Sequence, residues 1–188
     1  LMDNLNGELG SSTNKESRFR AIVDFVQDDV RYLGLEEGIS AYKPHPPHDV
    51  ATQRYGDCKD KSLLLVKLLR DEGINAWPVL VNSSLLGSIQ GHIPRPSLFD
   101  HCIVMYEWEG KKRMLDPTIS NQGGGLSSIM APDYEVGFLI DKGSTELINL
   151  PLNRVSRIDV TDEITIDSVA TGDAIMTVGG CAANAAVA

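Results

Sequence analysis

The segment at residues 54–70, RYGDCKDKSLLLVKLLR, constrains this chain most, because a polar, turn-forming stretch runs directly into a helical pattern of leucines. Asp57 is suited to cap the helix N-terminus, and Asp60 follows three residues later, as in a capping box. Gly73 is a typical residue just beyond a helix C-terminus. The residues predicted to bury one face are Leu64, Leu65, Leu68 and Leu69. The segment therefore predicts a partly buried helix that begins at Cys58.

Cys58 would occupy the first position of this helix, which is a favourable place for a reactive thiol. The unpaired N–H groups and partial positive charge of a helix N-terminus favour the thiolate, which attacks carbonyl carbon. The carboxylates of Asp57 and Asp60 oppose that ionisation in part. Lys59 and Lys61 are predicted to project outward as a solvated face. A lone cysteine at a helix start is more often a small buried residue, so a nucleophile needs partners elsewhere in the chain.

A predicted β-hairpin supplies both partners. Residues 99–115, FDHCIVMYEWEGKKRML, alternate as two strands joined by a Glu-Gly turn. His101 enters the first strand and Asp116 leaves the second, so counting along the two arms places them side by side. A structural histidine and a turn aspartate before proline are the alternative interpretations. Together, Cys58, His101 and Asp116 form a candidate set of nucleophile, base and orienting group.

Charge and hydrophobicity argue against binding to nucleic acid and against a membrane span. The net charge of −9 and pI near 4.8, without a basic stripe, argue against a nucleic-acid binder. No stretch approaches the roughly 20 apolar residues that a membrane span needs. The chain has three cysteines, an odd number, at positions 58, 102 and 181. Their spacing matches no CxxC or CxxH pattern, so neither a disulfide framework nor a structural zinc site is indicated. We expect no metal and no cofactor.

His45 and His48 form the other histidine cluster, within KPHPPHD at residues 43–49. Histidines three residues apart can bind a metal when a helix places them on one face. Three prolines favour an irregular loop here instead, so we interpret both histidines as surface residues. Cys102 follows His101 on a strand, points to the opposite face, and is interpreted as a core residue.

The chain is predicted to have three parts. Residues 1–16 form a flexible polar lead-in, residues 17–151 a core domain, and residues 152–188 the start of an appended β-rich module or C-terminal extension. The core opens on an amphipathic helix at residues 17–30. The strands predicted outside the hairpin are residues 75–81, 134–141, 145–150, 157–167 and 174–178.

Three separated motifs resemble one family. GDCKDKSLLLVKLLRDEGINAWPVLV, then FDHCIV, then MLDPT, are similar to the core of the transglutaminase-like superfamily, particularly bacterial members with GDCKD at the cysteine. The resemblance implies an α+β, papain-like fold, in which the nucleophile-bearing helix packs on an antiparallel sheet. It implies that Cys58 is the nucleophile, His101 the general base and acid, and Asp116 the orienting residue.

The resemblance leaves the oxyanion site open. Eukaryotic members use an upstream tryptophan to hold the oxyanion, and no tryptophan precedes Cys58 here. The Cys58 backbone N–H is one candidate donor, and Gln53, Tyr32 and Tyr42 are candidates for the second. Calcium dependence does not carry over, because no EF-hand ligand pattern is present.

The function implied is acyl transfer on protein or peptide amides through a thioester, ending in hydrolysis or in crosslinking. The resemblance also implies flanking domains in the same chain and a periplasmic or other extracytoplasmic location in a bacterium. The alternative is a catalytically silent binding or scaffolding domain of the same fold. A metalloprotein built on His45, His48 and the cysteines is a third hypothesis.

Overall fold

The computed structural model describes residues 14–34, 41–122 and 129–151, and the backbone of strands at residues 156–168 and 174–187. Two compact units are present, Leu1–Asn153 and Arg154–Ala188. Residues 1–13 of the expected lead-in lie outside the described residues. Within the described parts of the chain, no helix has the length and apolar character needed to cross a membrane.

The first helix, α1, spans Lys15–Asp24 and continues into a π-helical turn at Phe25–Asp29. It begins two residues before the expected start, because the Asn14 side chain accepts hydrogen bonds from the N–H groups of Glu16 and Ser17. Its apolar stripe faces the core, as predicted. The fully buried members of that stripe are Phe19, Ile22, Val23 and Val26.

Between α1 and the cysteine helix lies a short helix that the sequence prediction missed. This helix, α2, spans Pro47–Gln53, between strands β1 (Arg31–Tyr32) and β2 (Tyr55–Gly56), which pair in parallel. The prediction of an irregular loop throughout residues 43–49 was therefore wrong. Proline is tolerated at the start of a helix, because the N–H that it lacks has no partner there.

The cysteine helix, α3, spans Cys58–Asp71 and confirms the predicted start, cap and stop. The Asp57 side chain accepts from backbone groups of the first turn, and the Asp60 side chain accepts from the Asp57 N–H, which completes the capping box. Gly73 adopts φ +70 just beyond the helix, a conformation that favours glycine. Leucines of this helix pack into the main apolar cluster together with α1.

A five-stranded antiparallel sheet carries α1 and α3 on one face, in the order β5-β4-β3-β6-β7. Its strands are β3 (Ala76–Val81), β4 (His101–Trp108), β5 (Lys111–Leu115), β6 (Val136–Leu139) and β7 (Leu147–Asn149). Val104 and Tyr106 of β4 face the helices, whereas Ile103 and Met105 enter a second cluster on the opposite face. The α+β architecture and the predicted hairpin are confirmed.

The second unit consists, in its described part, of two long strands. Strands β8 (Ser156–Ser168) and β9 (Ala174–Val187) pair in antiparallel register, with an irregularity between Asp162 and Ile164. Both predicted C-terminal strands are present and extend beyond the predicted limits.

Candidate active site

Cys58 lies at the first position of α3. Its thiol is not in a disulfide, and only 3% of the residue is exposed. The turn before it is tightly packed: a Cβ at Gly56 would lie 2.6 Å from the Cβ of Asp60. Asp57 accepts from the N–H groups of Lys59 at 2.8 Å and of Asp60 at 3.1 Å. These contacts fix the helix N-terminus, and with it the position of the sulfur.

His101 and Asp116 lie side by side at the open end of the hairpin. His101 Nε2 is 2.8 Å from Asp116 Oδ2. The pairing of β4 with β5 ends at Val104 and Leu115, so Asp116 lies one residue and His101 three residues beyond the paired stretch. The neighbourhood predicted by counting residues is therefore confirmed.

Asp116 is buried and held by further donors. Its Oδ1 accepts from the Thr118 N–H at 2.9 Å and the Thr118 hydroxyl at 2.7 Å, and its Oδ2 accepts from the Tyr134 hydroxyl at 2.8 Å. Burial opposes ionisation of Asp116, but the hydrogen bond and charge of His101 and the bonds from Thr118 outweigh it and lower its pKa. The carboxylate is therefore anionic at neutral pH.

His101 completes a connection between Asp116 and the thiol. Burial disfavours the imidazolium, but hydrogen bonds with Asp116 and Cys58 and the charges of both groups raise the pKa of His101 to about 10. A protonated His101 at neutral pH can stabilise a thiolate at Cys58 and deliver a proton to a leaving group. The structure thus brings together the three residues that the sequence predicted.

The three candidate oxyanion donors fall in different places. Tyr42 is 75% exposed and lines the same cleft as Cys58. The Gln53 side-chain amide donates to the backbone carbonyl of Tyr55 at 2.9 Å, which commits it locally. Tyr32 lies on strand β1 and is exposed. Of the three, Tyr42 is the one that this arrangement brings to the cleft.

The expectation that Lys59 and Lys61 project into solvent was wrong. The Lys59 ammonium pairs with Asp57 Oδ2 at 2.8 Å, and its side chain is 13% exposed. Lys61 is 1% exposed and donates to the backbone carbonyls of Gln27 at 3.2 Å and Val30 at 2.6 Å. Carbonyls at the end of a helical segment lack intrahelical donors, so a lysine from the packed neighbouring helix satisfies them.

Gln27 extends this buried network to the site. Its side-chain amide donates to the Asp116 backbone carbonyl at 2.8 Å and to Gln122 Oε1 at 2.9 Å. Burial lowers the pKa of Lys61 to about 8, against the opposing charges of Asp28 and Asp116. Neither Gln27 nor Tyr134 carries a local sequence signal, since each meets Asp116 only through tertiary packing.

The other histidine pair and Cys102 lie at the surface and in the interior, respectively. His45 and His48 are exposed, as interpreted, and the Asp60 carboxylate accepts from the His45 backbone N–H at 2.7 Å. Cys102 is buried, as interpreted, and burial raises its pKa to about 12. Among the described residues, no group of three or more His, Cys, Asp or Glu side chains is placed to hold a metal ion.

A cleft of about 920 Å³ opens over the thiol. Cys58, His101 and Cys102 are among the residues that line it. Apolar side chains from the sheet and from the segment before β4 line much of the remainder. The residues of that apolar lining are Leu80, Ile89, Pro94, Pro96, Leu98, Phe99, Phe138 and Leu147. The thiol is therefore beside a space large enough for a peptide-sized group.

A cysteine at the N-terminus of a helix packed on an antiparallel sheet defines the papain-like, transglutaminase-like class of fold. The model of the transglutaminase-like superfamily matches residues 3–91, so the resemblance seen in the sequence is confirmed. No curated protein sequence matches the chain.

Two solved structures share the fold. One is a proposed cysteine protease from Cytophaga hutchinsonii, with TM-score 0.50 and 18% identity over 100% of this chain and 50% of that one. The other is a proposed protease from Parabacteroides distasonis, with TM-score 0.54 and 14% identity over 81% of this chain and 28% of that one. The present chain thus spans half or less of the length of each.

Proposed function

We propose that this chain is a thiol-dependent enzyme that transfers the acyl group of protein or peptide amides, with Cys58 as nucleophile, His101 as acid and base, and Asp116 as orienting residue. The observation that carries the proposal is the 2.8 Å contact of His101 Nε2 with Asp116, at a histidine close enough to Cys58 for that group to help raise the His101 pKa. The fold shared with proposed proteases adds support.

In the proposed reaction, the Cys58 thiolate attacks the amide carbonyl carbon and forms the S–C bond of a tetrahedral intermediate. The Cys58 backbone N–H and Tyr42 are candidate donors to its oxyanion. Collapse breaks the C–N bond, the amine takes a proton from His101, and a thioester remains. His101 then removes a proton from water or an acceptor amine, which attacks the thioester carbonyl carbon. The C–S bond breaks, the acyl group leaves as a carboxylic acid or a new amide, and the Cys58 thiolate is restored beside protonated His101.

Asp116 acts through His101 in this scheme. Its carboxylate holds the imidazole by Nε2 and stabilises the positive charge on the ring. Because Thr118 and Tyr134 also donate to Asp116, the carboxylate has little freedom to turn away. Location outside the cytoplasm and flanking domains remain predictions drawn from the family resemblance.

Alkylation by iodoacetamide at neutral pH, read by peptide mass spectrometry, tests the proposal. We expect rapid modification of Cys58, abolished in Cys58→Ala and slowed in His101→Ala, with a parallel loss of Cys58-dependent hydrolysis of p-nitrophenyl acetate. Cys102→Ala is the matched control, because burial raises the pKa of that thiol and keeps it neutral, whereas Cys58 lies beside His101. Labelling confined to Cys102 or Cys181, without ester hydrolysis, would favour the silent scaffolding domain.

A further inference from the structure

Four residues on neighbouring strands form a continuous line across the sheet, which we name the apolar row: Cys102, Leu80, Phe138 and Leu147. The register pairs Cys102 with Leu80, Leu80 with Phe138, and Phe138 with Leu147. Residues directly opposite on adjacent strands place their side chains on the same face of a sheet. All four line the cleft that holds Cys58.

The cysteine helix covers the Cys102 end of the apolar row and leaves the other end open to the cleft. The Ser62 hydroxyl of α3 donates to the Cys102 carbonyl at 2.9 Å, so the helix covers that end, where Cys102 is 5% exposed. Leu80, Phe138 and Leu147 are each partly exposed to the cleft. Phe99 lies beside Phe138, with ring centroids 6.2 Å apart. Partly exposed apolar side chains beside a nucleophile offer a binding surface for apolar groups.

The length of the apolar row fits a short extended peptide. Three steps between strands about 4.8 Å apart span roughly 14 Å, which is close to the length of about four extended residues. In an extended peptide, alternate side chains point to the same side. Two apolar side chains separated by one residue would therefore contact the apolar row together.

Charged residues that line the cleft are of both signs. Arg95 is cationic, Asp100 and Glu146 are anionic, and Lys59 is already paired with Asp57. Such a lining does not favour a strongly charged ligand of either sign. It suits a neutral, polar main chain that carries apolar side chains.

The side of the substrate that uses the apolar row follows from the strand pleat. His101 and Cys102 are consecutive on β4, so their side chains point to opposite faces of the sheet. A leaving amine protonated by His101 departs on the His101 side. The acyl portion, bound to Cys58, would then extend over the face that carries Cys102 and the apolar row.

We propose that the apolar row is the specificity surface for the acyl side of a peptide substrate, and that it selects apolar side chains at alternate positions. This inference rests on the proposed function. Its consequence is discrimination by sequence within about four residues of the reacting carbonyl.

The test uses p-nitrophenyl esters of three acetylated tetrapeptides, Leu-Ser-Leu-Gly, Ser-Leu-Ser-Gly and Ser-Ser-Ser-Gly, which share the same reacting glycyl ester. For the wild-type chain we expect kcat/KM for the first to exceed that for the third by about tenfold or more, with the second between them. Phe138→Ala should reduce that ratio severalfold. Ile140→Ala, at an exposed position just beyond β6, should leave the ratio unchanged.

Two further probes separate the possible failures. Without Cys58-dependent turnover of p-nitrophenyl acetate, the proposed function fails, and this inference fails with it. If acetate is turned over but the wild-type ratio of the first to the third peptide is near one, only the apolar row proposal is overturned. Faster turnover of p-nitrophenyl octanoate than of the Leu-Ser-Leu-Gly ester would show that the surface binds a fatty acyl chain, and would also overturn the apolar row proposal. The wild-type ratio decides the question even if Phe138→Ala does not fold.

Discussion

The Tyr134 hydroxyl donates a 2.8 Å hydrogen bond to Oδ2 of Asp116, the same carboxylate oxygen that pairs with His101. Tyr134 is 7% exposed, and its ring centroid lies 5.8 Å from that of His101. Burial and the Asp116 charge raise the pKa of Tyr134, so the phenol stays protonated and remains a donor. Tyr134 therefore both screens the His101–Asp116 pair from water and anchors it.

Tyr134→Phe should destabilise the chain, because it removes a donor from a buried carboxylate while keeping the ring. Hydrogen bonds to charged groups contribute about 1.5–3 kcal/mol, and we expect a loss in that range from the free energy of urea unfolding. Tyr55→Phe is the control, since Tyr55 is 44% exposed. Equal stability of the two variants would show that the Tyr134 hydroxyl contributes nothing to the anchor.

The raised pKa of His101 predicts a stability that falls with pH. Its folded pKa is about 10, against an ordinary value of 6.5. Between these values the folded state binds more protons than the unfolded state, so the stabilisation is complete below 6.5 and is lost as pH rises through about 10. The test compares urea unfolding of the wild type and His101→Gln across this range. The gap between them should narrow as pH rises, and a constant gap would contradict the prediction.

Lys61→Met should cost stability although it removes a buried charge. The backbone carbonyls of Gln27 and Val30 would lose the donor they share, and each buried group left unpaired costs about 1–3 kcal/mol. Relief of the burial penalty on the ammonium offsets part of that loss, so we expect a net decrease of roughly 1–3 kcal/mol at neutral pH. Lys67→Met is the matched control, because Lys67 is exposed on the same helix. A Lys61 variant as stable as the control would refute the prediction.

Gly137→Ala should disturb the pairing of β3 with β6. A Cβ at Gly137 would lie 2.6 Å from the Val79 side chain and 3.1 Å from the backbone oxygen of Leu80. The backbone oxygen cannot move aside as a flexible side chain can. Overpacking of this kind costs about 1–3 kcal/mol. Gly91→Ala is the control, since its added Cβ would meet nothing within 4 Å. A thermal midpoint unchanged in Gly137→Ala, relative to the control, would show that the sheet absorbs the methyl group.

Local sequence was sufficient to predict contacts between residues of the same helical turn or of the same hairpin. The cap formed by Asp57 and Asp60 lies within one helical turn, and the meeting of His101 with Asp116 follows from a hairpin whose length can be counted. Propensity and strand alternation act over these short distances. The prediction failed for the segment KPHPPHD, where a helix begins at Pro47. Proline disrupts the interior of a helix but is accepted in its first turn.

Contacts between distant segments were decided by the tertiary structure alone. Lys61 follows Cys58 by three residues and looks like a solvent-exposed lysine in sequence. It is buried because the carbonyls of Gln27 and Val30, in and just beyond the π-helical turn after α1, need a donor. Tyr134 and Gln27 reach Asp116 only after the sheet and helices have packed. The sequence by itself therefore determined the cysteine helix and the hairpin that carries His101, since both arise from local hydrogen bonding and periodicity. Packing determined the network that holds them together, since burial and unpaired carbonyls exist only in the folded chain.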